Sequence, residues 1–160
     1  MVDLEELLPA LSRAGVEHII VGGVAAIVHG SARLTQDLDI VYHRTPDNIV
    51  RLANALEPFA PYLRGAPPGL PFRLDPETIQ RGLNFTLVTS AGPLDVLGEI
   101  AGGGTYETLI SHSRKLSVFG IECYCLGLDR LIQAKRDAGR PKDLEVLAEL
   151  EALRESKAEG

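Results

Sequence analysis

A glycine pair at the end of a short apolar run is the feature that most constrains this chain. Ile19, Ile20 and Val21 form that run, and Gly22-Gly23 follows at once. A continuous apolar run of this kind predicts a buried strand, which here ends at the glycines and opens a helix. Because glycine has no Cβ, the backbone N–H groups of the pair can approach a phosphate at the start of that helix.

Two aspartates follow in an Asp-x-Asp arrangement. Asp37 and Asp39 flank Leu38, and residues 40–42 continue the segment as an apolar strand. Residues two apart on a strand point to the same face, so both carboxylates are expected to project together while Leu38 enters the core. Two carboxylates on one rigid strand suit a hard divalent cation such as Mg²⁺, held close enough to bridge a triphosphate.

The glycine pair and the Asp-x-Asp pair together resemble the nucleotidyltransferases of the DNA polymerase β superfamily. That superfamily has a hydrophobic residue, Gly-Gly or Gly-Ser, a spacer and then Asp-x-Asp. Gly30, Arg33 and Thr35 add a likeness to small bacterial members, such as the nucleotidyltransferase half of abortive-infection toxin–antitoxin systems and the lincosamide nucleotidyltransferases. The resemblance is strong over residues 19–42, and weaker but ordered through to the C-terminus. It implies an α/β nucleotidyltransferase fold, a twisted mixed β-sheet with helices packed on it.

Periodicity and turn residues divide the chain into one domain, residues 1–154, and a polar tail, residues 155–160. The predicted helices are 3–14, 24–29, 46–57, 106–111, 128–138 and 141–153, and the predicted strands are 16–21, 38–42, 83–89, 93–97, 116–119 and 121–126. Six of the ten prolines fall in residues 58–76. That segment is therefore predicted to be an irregular loop, either a functional lid or binding loop or a merely mobile one.

The resemblance also implies a third carboxylate on a neighbouring strand, which completes the metal pair or acts as general base. Asp95 fits this position by its order in the chain and by the apolar residues on both sides of it, in the returning strand of a predicted hairpin. The alternatives are that Asp95 is a surface residue of that hairpin, or that Glu99 takes the role less well. On this hypothesis Asp37, Asp39 and Asp95 hold two Mg²⁺ ions and carry the catalysis.

The nucleotide-binding residues that the same resemblance implies are Gly22, Gly23, Arg33, Thr35, Lys135 and Lys142. Arg33 and Thr35 precede the Asp pair; in the alternative they are a solvated arginine and a strand-capping threonine. Lys135 and Lys142 belong to a basic cluster at the junction of the last two helices, which includes the segment Arg-Pro-Lys-Asp at 140–143. Small nucleotidyltransferases often end with such an element, although a run of charges is usually a solvated helix face.

Composition limits the partners and the location. The net charge of -6 argues against a general nucleic-acid or DNA binder, which normally shows a basic surface. No apolar stretch approaches a membrane span and the acidic N-terminus does not suit a signal peptide, so a cytoplasmic protein is expected. Cys123 and Cys125 lie two apart on a predicted strand and are interpreted as core or half-buried thiols.

These interpretations predict a magnesium-dependent transferase that moves a nucleoside monophosphate from ATP or another NTP to a hydroxyl acceptor. The first possibility is a toxin-type enzyme that modifies a protein or tRNA and is paired with an antitoxin protein. The second is an antibiotic-modifying adenylyltransferase. The third is a non-catalytic module that kept the fold in order to bind a partner, and the intact Asp37, Asp39 and Asp95 weigh against it.

Overall fold

A seven-stranded mixed β-sheet forms the centre of the molecule in a computed structural model, which describes residues 1–159. The strands are β1 (His18–Val21), β2 (Leu38–Tyr42), β3 (Tyr62–Leu63), β4 (Phe85–Thr89), β5 (Gly92–Leu97), β6 (Ser113–Val118) and β7 (Ile121–Leu126). The helices are α1 (Leu4–Arg13), α2 (Gly22–Val28), α3 (Pro46–Leu56), α4 (Pro76–Arg81), α5 (Tyr106–Leu109), α6 (Leu128–Ala138) and α7 (Pro141–Glu159). Short 3-10 turns extend α3 at Glu57–Phe59 and α5 at Ile110–His112.

The strand order brings the start of β2, the end of β1 and the middle of β5 to one place. The order across the sheet is β3-β4-β5-β2-β1-β7-β6. β2 pairs with β5 in parallel and β1 pairs with β7 in parallel, whereas the other neighbours are antiparallel. In this register Asp39 lies directly beside Asp95 on one side and beside Val21 on the other. The predicted α/β architecture with a mixed sheet is therefore confirmed.

The central strands are buried on both faces of the sheet. All four residues of β1 are buried, and Asp39 is the one residue of β2 that keeps some exposure. Successive residues of a strand point to opposite faces, so complete burial means that both faces are covered. α1 packs against β7 and α3, while α2 packs against β2 and α6. Asp39 is thus a polar side chain set in an otherwise apolar strand.

The helix boundaries follow capping signals in the sequence. Asp3, Thr45 and Asp75 cap α1, α3 and α4, and each side-chain oxygen accepts a hydrogen bond from the backbone N–H three residues later. Proline occupies the first turn of both α3 and α4, where its missing N–H costs nothing. α6 ends at Gly139, whose φ of 62° lies in the left-handed region that glycine tolerates.

The proline-rich segment 58–76 is more regular than the sequence predicts. It holds most of the first 3-10 turn, the edge strand β3 and the first residue of α4. β3 pairs with β4 through Tyr62 and Leu63. The prediction of an irregular loop is wrong at β3 because a two-residue strand between prolines carries no detectable periodicity.

The C-terminal helix is longer than predicted. α7 continues through most of the predicted polar tail, as far as Glu159, and Gly160 lies outside the described residues. The division into one domain and a tail at residue 154 stays a prediction. None of the helices within residues 1–159 is both long and apolar enough to cross a membrane.

Candidate active site

The fold gathers the three carboxylates that the sequence singles out. Asp39 lies on β2 and Asp95 lies beside it on β5, whereas Asp37 immediately precedes β2 rather than belonging to it. One carboxylate oxygen from each of the three residues lies within 4.8 Å of the other two. This spacing suits a site at which carboxylates share a hard divalent cation.

The electrostatics of Asp39 fit a bound cation. The pKa of this carboxyl is raised to about 7, first by burial and then by the negative charges of Asp95 and Asp37, while Lys135 opposes the shift. Asp39 Oδ1 is buried and has no hydrogen-bond partner among the described residues. A buried carboxylate oxygen without a donor is costly unless a proton or a cation satisfies it. The donor set, oxygen only, is the one that Mg²⁺ prefers.

The glycine pair lies directly against this carboxylate cluster. Gly22 begins α2 with a φ of +66°, and a Cβ at this position would overlap Asp39 Oδ2. A Cβ at Gly23 would lie 2.7 Å from Thr35 Oγ1, closer than side chains approach one another. Both positions therefore exclude a side chain, and the backbone of the pair lines the site.

Thr35 and Arg33 lie at different distances from the carboxylates. Thr35 Oγ1 donates a hydrogen bond of 3.1 Å to the Asp37 carbonyl and packs against Gly23, so it belongs to the wall of the site. Arg33 turns toward α7, where Nη2 donates to the Glu145 carbonyl at 3.3 Å and Nε lies 3.9 Å from Glu149. The Arg33 side chain is half-exposed and lines a cavity that borders the carboxylate cluster.

Two cavities adjoin Asp39. The polar cavity, of about 600 Å³, is lined by Gly23, Arg33, Thr35, Asp37 and Lys142 among others. The apolar cavity, of about 380 Å³, is lined mainly by side chains such as Leu97, Ile100, Leu126 and Leu131, with Glu99 among them. Asp39, Lys135, Arg140 and Asp143 line both cavities, so the two spaces meet at the carboxylate cluster.

A buried ion network at the α6–α7 junction holds one of the predicted lysines in the site. The Asp143 side chain is 1% exposed; it lies 3.3 Å from Lys135 Nζ and accepts a 2.6 Å bond from Arg140 Nε. Burial alone would raise the pKa of Asp143, but the Arg140 hydrogen bond and the charges of Lys135 and Arg140 lower it below its usual value. Lys142 is exposed on the other side of this junction and lines only the polar cavity.

The sequence predicts no role in the site for Arg140 or Asp143. Both belong to the Arg-Pro-Lys-Asp segment at 140–143, of which only Lys142 is predicted to bind the nucleotide. The sequence signal that could have indicated their ion pair is the alternation of opposite charges around the start of a helix. Asp143 is the member of this segment that fixes the positions of its neighbours.

Arg64 is a further residue for which the sequence predicts no role, and it lies within the carboxylate cluster itself. Its Nη2 donates a 2.8 Å hydrogen bond to Asp95 Oδ1, and its Nη1 lies 3.5 Å from Asp37 Oδ2. Arg64 directly follows β3, in the segment predicted to be a loop. No local motif surrounds it, because its position depends on the pairing of β3 with β4 and of β4 with β5.

This arrangement can be compared with proteins of known structure. No protein-family model and no curated protein matches the sequence. Among solved structures, the Thermotoga maritima protein TM1012, described as a nucleotidyltransferase, matches with a TM-score of 0.58 at 15% identity, over 91% of this chain and 88% of that one. This chain has the nucleotidyltransferase fold. The fold predicted from the glycine pair and the Asp-x-Asp pair is thereby confirmed.

Two further solved structures, both of proteins described in relation to antibiotics, share the fold of this chain. The resistance factor ANT(2'')-Ia matches with a TM-score of 0.58 at 14% identity, over 98% of this chain and 89% of its own. The lincosamide antibiotic adenylyltransferase LnuA, solved with lincomycin bound, matches with a TM-score of 0.54 at 16% identity, over 91% and 98%. Each likeness extends over nearly the whole of both chains, so the fold is shared as a unit.

Proposed function

We propose that this protein is an NTP-dependent nucleotidyltransferase that moves a nucleoside monophosphate to a hydroxyl acceptor. The observation that carries the proposal is the cluster of Asp37, Asp39 and Asp95 against the backbone of the glycine pair. In this proposal the three carboxylates hold two Mg²⁺ ions. The ions, when bound, would neutralise the triphosphate and polarise its α-phosphorus.

The polar cavity is the proposed place of the triphosphate. Arg33 and Lys142 are on its walls, and Lys135 is shared with the apolar cavity. Asp143 already orients the Lys135 ammonium, so this group needs little reordering to meet a phosphate oxygen. Gly23 and Thr35 supply a close-fitting wall without a bulky side chain.

The acceptor is then expected on the other side of the carboxylate cluster. In an in-line displacement the attacking oxygen and the departing pyrophosphate lie on opposite sides of the phosphorus. With pyrophosphate in the polar cavity, the acceptor hydroxyl would approach from the apolar cavity, which also borders Asp39. Asp95 is the proposed acceptor of the hydroxyl proton, since it stands beside Asp39 in the neighbouring strand.

Two acceptor classes are proposed for this site. A toxin-type enzyme would modify a protein or tRNA and would be held inactive by an antitoxin protein; the net charge of -6 means that any RNA contact would be local. An antibiotic-modifying adenylyltransferase is the second candidate, and it is favoured by the likeness to ANT(2'')-Ia and LnuA and by the apolar cavity. Either reaction needs NTP, which suits a protein of the cytoplasm.

Label transfer tests the function and separates these classes. The protein is incubated with each of the four NTPs labelled at the α-phosphate, with Mg²⁺ and a cell extract, and the protein, RNA and small-molecule fractions are then counted. A parallel reaction replaces the extract with lincomycin and a panel of other antibiotics. The Asp39→Asn variant is the control, and label that does not depend on Asp39 would argue against the proposal. Absence of both transfer and Mg²⁺-dependent nucleotide binding would favour the non-catalytic module.

A further inference from the structure

Arg64 is anchored at both its backbone and its side chain. The backbone N–H donates a 3.0 Å hydrogen bond to the Thr86 carbonyl on β4. Its Nη2 donates to the Leu87 carbonyl at 2.7 Å and to Asp95 Oδ1 at 2.8 Å, and Nη1 lies 3.5 Å from Asp37 Oδ2. The guanidinium is therefore held in a defined position between two of the three carboxylates.

We propose that Arg64 is a positioning residue that competes with the divalent cation in the nucleotide-free protein. It holds Asp37 and Asp95 apart from a metal ion, so that the metal binds tightly only together with the triphosphate. This inference rests on the proposed function, because it concerns the same carboxylates and the same cation.

The charges of the site support this competition. A guanidinium stays fully protonated in proteins and carries no lone pair for a metal, so it can only oppose a cation nearby. Arg64 engages one oxygen of Asp37 and one of Asp95, and these two residues supply two of the three ligand oxygens that cluster within 4.8 Å. Without Arg64 the cluster would gain one unit of net negative charge and free both oxygens for a metal ion.

The exposure of Arg64 allows it to change partners when nucleotide arrives. Its side chain is 29% exposed, so it is not sealed within the core. An arriving triphosphate brings anionic oxygens, which accept hydrogen bonds from a guanidinium as well as a carboxylate does. Arg64 can then transfer to the phosphate and leave the aspartates to the metal.

A structural role for Arg64 makes a different prediction. If Arg64 served only to fasten β3 and its loop to the sheet, its removal would lower stability and would leave metal affinity unchanged or weaker. If it competes with the cation, its removal must tighten metal binding in the absence of nucleotide. Metal affinity without nucleotide therefore separates the two roles.

The test is a titration of the nucleotide-free protein with Mn²⁺, followed by electron paramagnetic resonance of the free ion. Arg64→Gln is expected to bind Mn²⁺ on the order of tenfold more tightly than the wild type. Arg64→Lys keeps the charge but cannot span both carboxylates, so about a threefold gain is expected. Arg81→Gln removes an exposed arginine paired with Glu77 and is expected to match the wild type.

The outcomes separate this inference from the proposed function. Equal or weaker Mn²⁺ binding by Arg64→Gln, together with wild-type binding that Asp39→Asn abolishes, would overturn the role of Arg64 alone. Absence of Mn²⁺ binding in every variant, with nucleotide and without it, would overturn the metal site and the proposed function with it. If Arg64→Gln does not fold, Arg64→Lys decides: a gain in affinity supports the competition, and no gain overturns it.

Discussion

At the scale of single residues, Asp39 is the side chain whose environment is most at odds with its charge. Its pKa is raised to about 7 by burial and by the neighbouring charges of Asp95 and Asp37. We expect Asp39→Asn to abolish transfer and to raise the melting temperature by several degrees in EDTA at pH 8, because an unfavourable buried charge disappears. Differential scanning calorimetry and the label-transfer assay measure the two effects.

The control for this substitution is Asp129→Asn, because the Asp129 side chain is 84% exposed on α6. It should change neither the melting temperature nor the transfer rate appreciably. Wild-type transfer by Asp39→Asn would show that the metal site has been assigned to the wrong residues.

A comparison of Gly22 with Gly120 separates the two costs of adding a side chain at Gly22, which are backbone strain and steric overlap. Both Gly22 and Gly120 have positive φ, of +66° and +75°, but only Gly22 faces a close neighbour, Asp39 Oδ2; nothing lies within 4 Å of a Cβ at Gly120. Gly120→Ala should cost about 1 kcal/mol of unfolding free energy from strain alone. Gly22→Ala should cost about 1–3 kcal/mol more and should also abolish transfer, because Asp39 must move.

Urea denaturation followed by circular dichroism gives both free energies on one scale. Equal losses for the two alanine variants, with transfer intact in Gly22→Ala, would mean that the close approach of the glycine to Asp39 has no functional importance.

These residues also show what the sequence could reveal. The roles of Gly22 and Asp39 are predicted from the sequence because their pattern is local: a strand, the start of a helix and a second strand lie within a short stretch of chain. Arg64 has no such pattern, since it reaches Asp95 only through the pairing of β3, β4 and β5. When strand pairing brings two distant residues together, the residues next to them in the sequence show no pattern that predicts the contact.

At the scale of elements, the junction of α6 and α7 combines one partly buried and one exposed lysine. Lys135 is 18% exposed beside Asp143, whereas Lys142 is exposed at the rim of the polar cavity. Replacing either by Ala should remove a charge-assisted contact to the triphosphate, worth about 1.5–3 kcal/mol. The expected result is about a ten- to hundredfold loss in nucleotide affinity or transfer rate. Lys135→Ala should also destabilise the fold, because Asp143 then keeps Arg140 as its remaining ion partner.

Lys115→Ala serves as the comparison, because Lys115 is exposed on the edge strand β6 and pairs with Glu122. Lys157 does not serve, because its ammonium contacts the buried His29. Isothermal titration with nucleotide and Mg²⁺ gives the affinities. If Lys135→Ala and Lys142→Ala both behave like Lys115→Ala, the junction has no part in nucleotide binding.

At the scale of the whole molecule, the sequence predicts the fold class but not the order of the strands in the sheet. The family resemblance implies an α/β fold with a mixed sheet, and the parallel pairing of β2 with β5 is the feature of that sheet that places Asp39 beside Asp95. That pairing joins strands that are separated by α3, β3, α4 and β4 in the chain, and no residue pattern specifies which strands become neighbours. The third carboxylate was therefore inferred from the family resemblance and the chain order of Asp95 rather than from geometry.

Two buried histidines make the stability of the molecule depend on pH. His18 and His29 are 5% and 4% exposed, and burial is the largest cause of the lowered pKa of each. His29 Nδ1 lies 3.2 Å from the Lys157 ammonium, which can only donate, so Nδ1 accepts and Nε2–H donates to the Leu126 carbonyl. Protonation of His29 would break the Lys157 contact and place two positive groups together.

The folded protein thus binds fewer protons than the unfolded chain, whose histidines titrate near 6.5. The stability that the two neutral histidines contribute is complete well above pH 6.5. It is lost as the pH falls from there through the lowered histidine pKa values of the folded state. Asp39 acts in the opposite direction over the same range, because its raised pKa means that acid relieves an unfavourable charge.

The measurement therefore uses the Asp39→Asn background, with urea unfolding at intervals between about pH 7.5 and 5.5. The free energy of unfolding should fall as the pH is lowered, and adding His29→Gln should flatten that slope. An unchanged slope in the double variant would assign the pH dependence to His18, whose Nε2 is buried without a hydrogen-bond partner among the described residues.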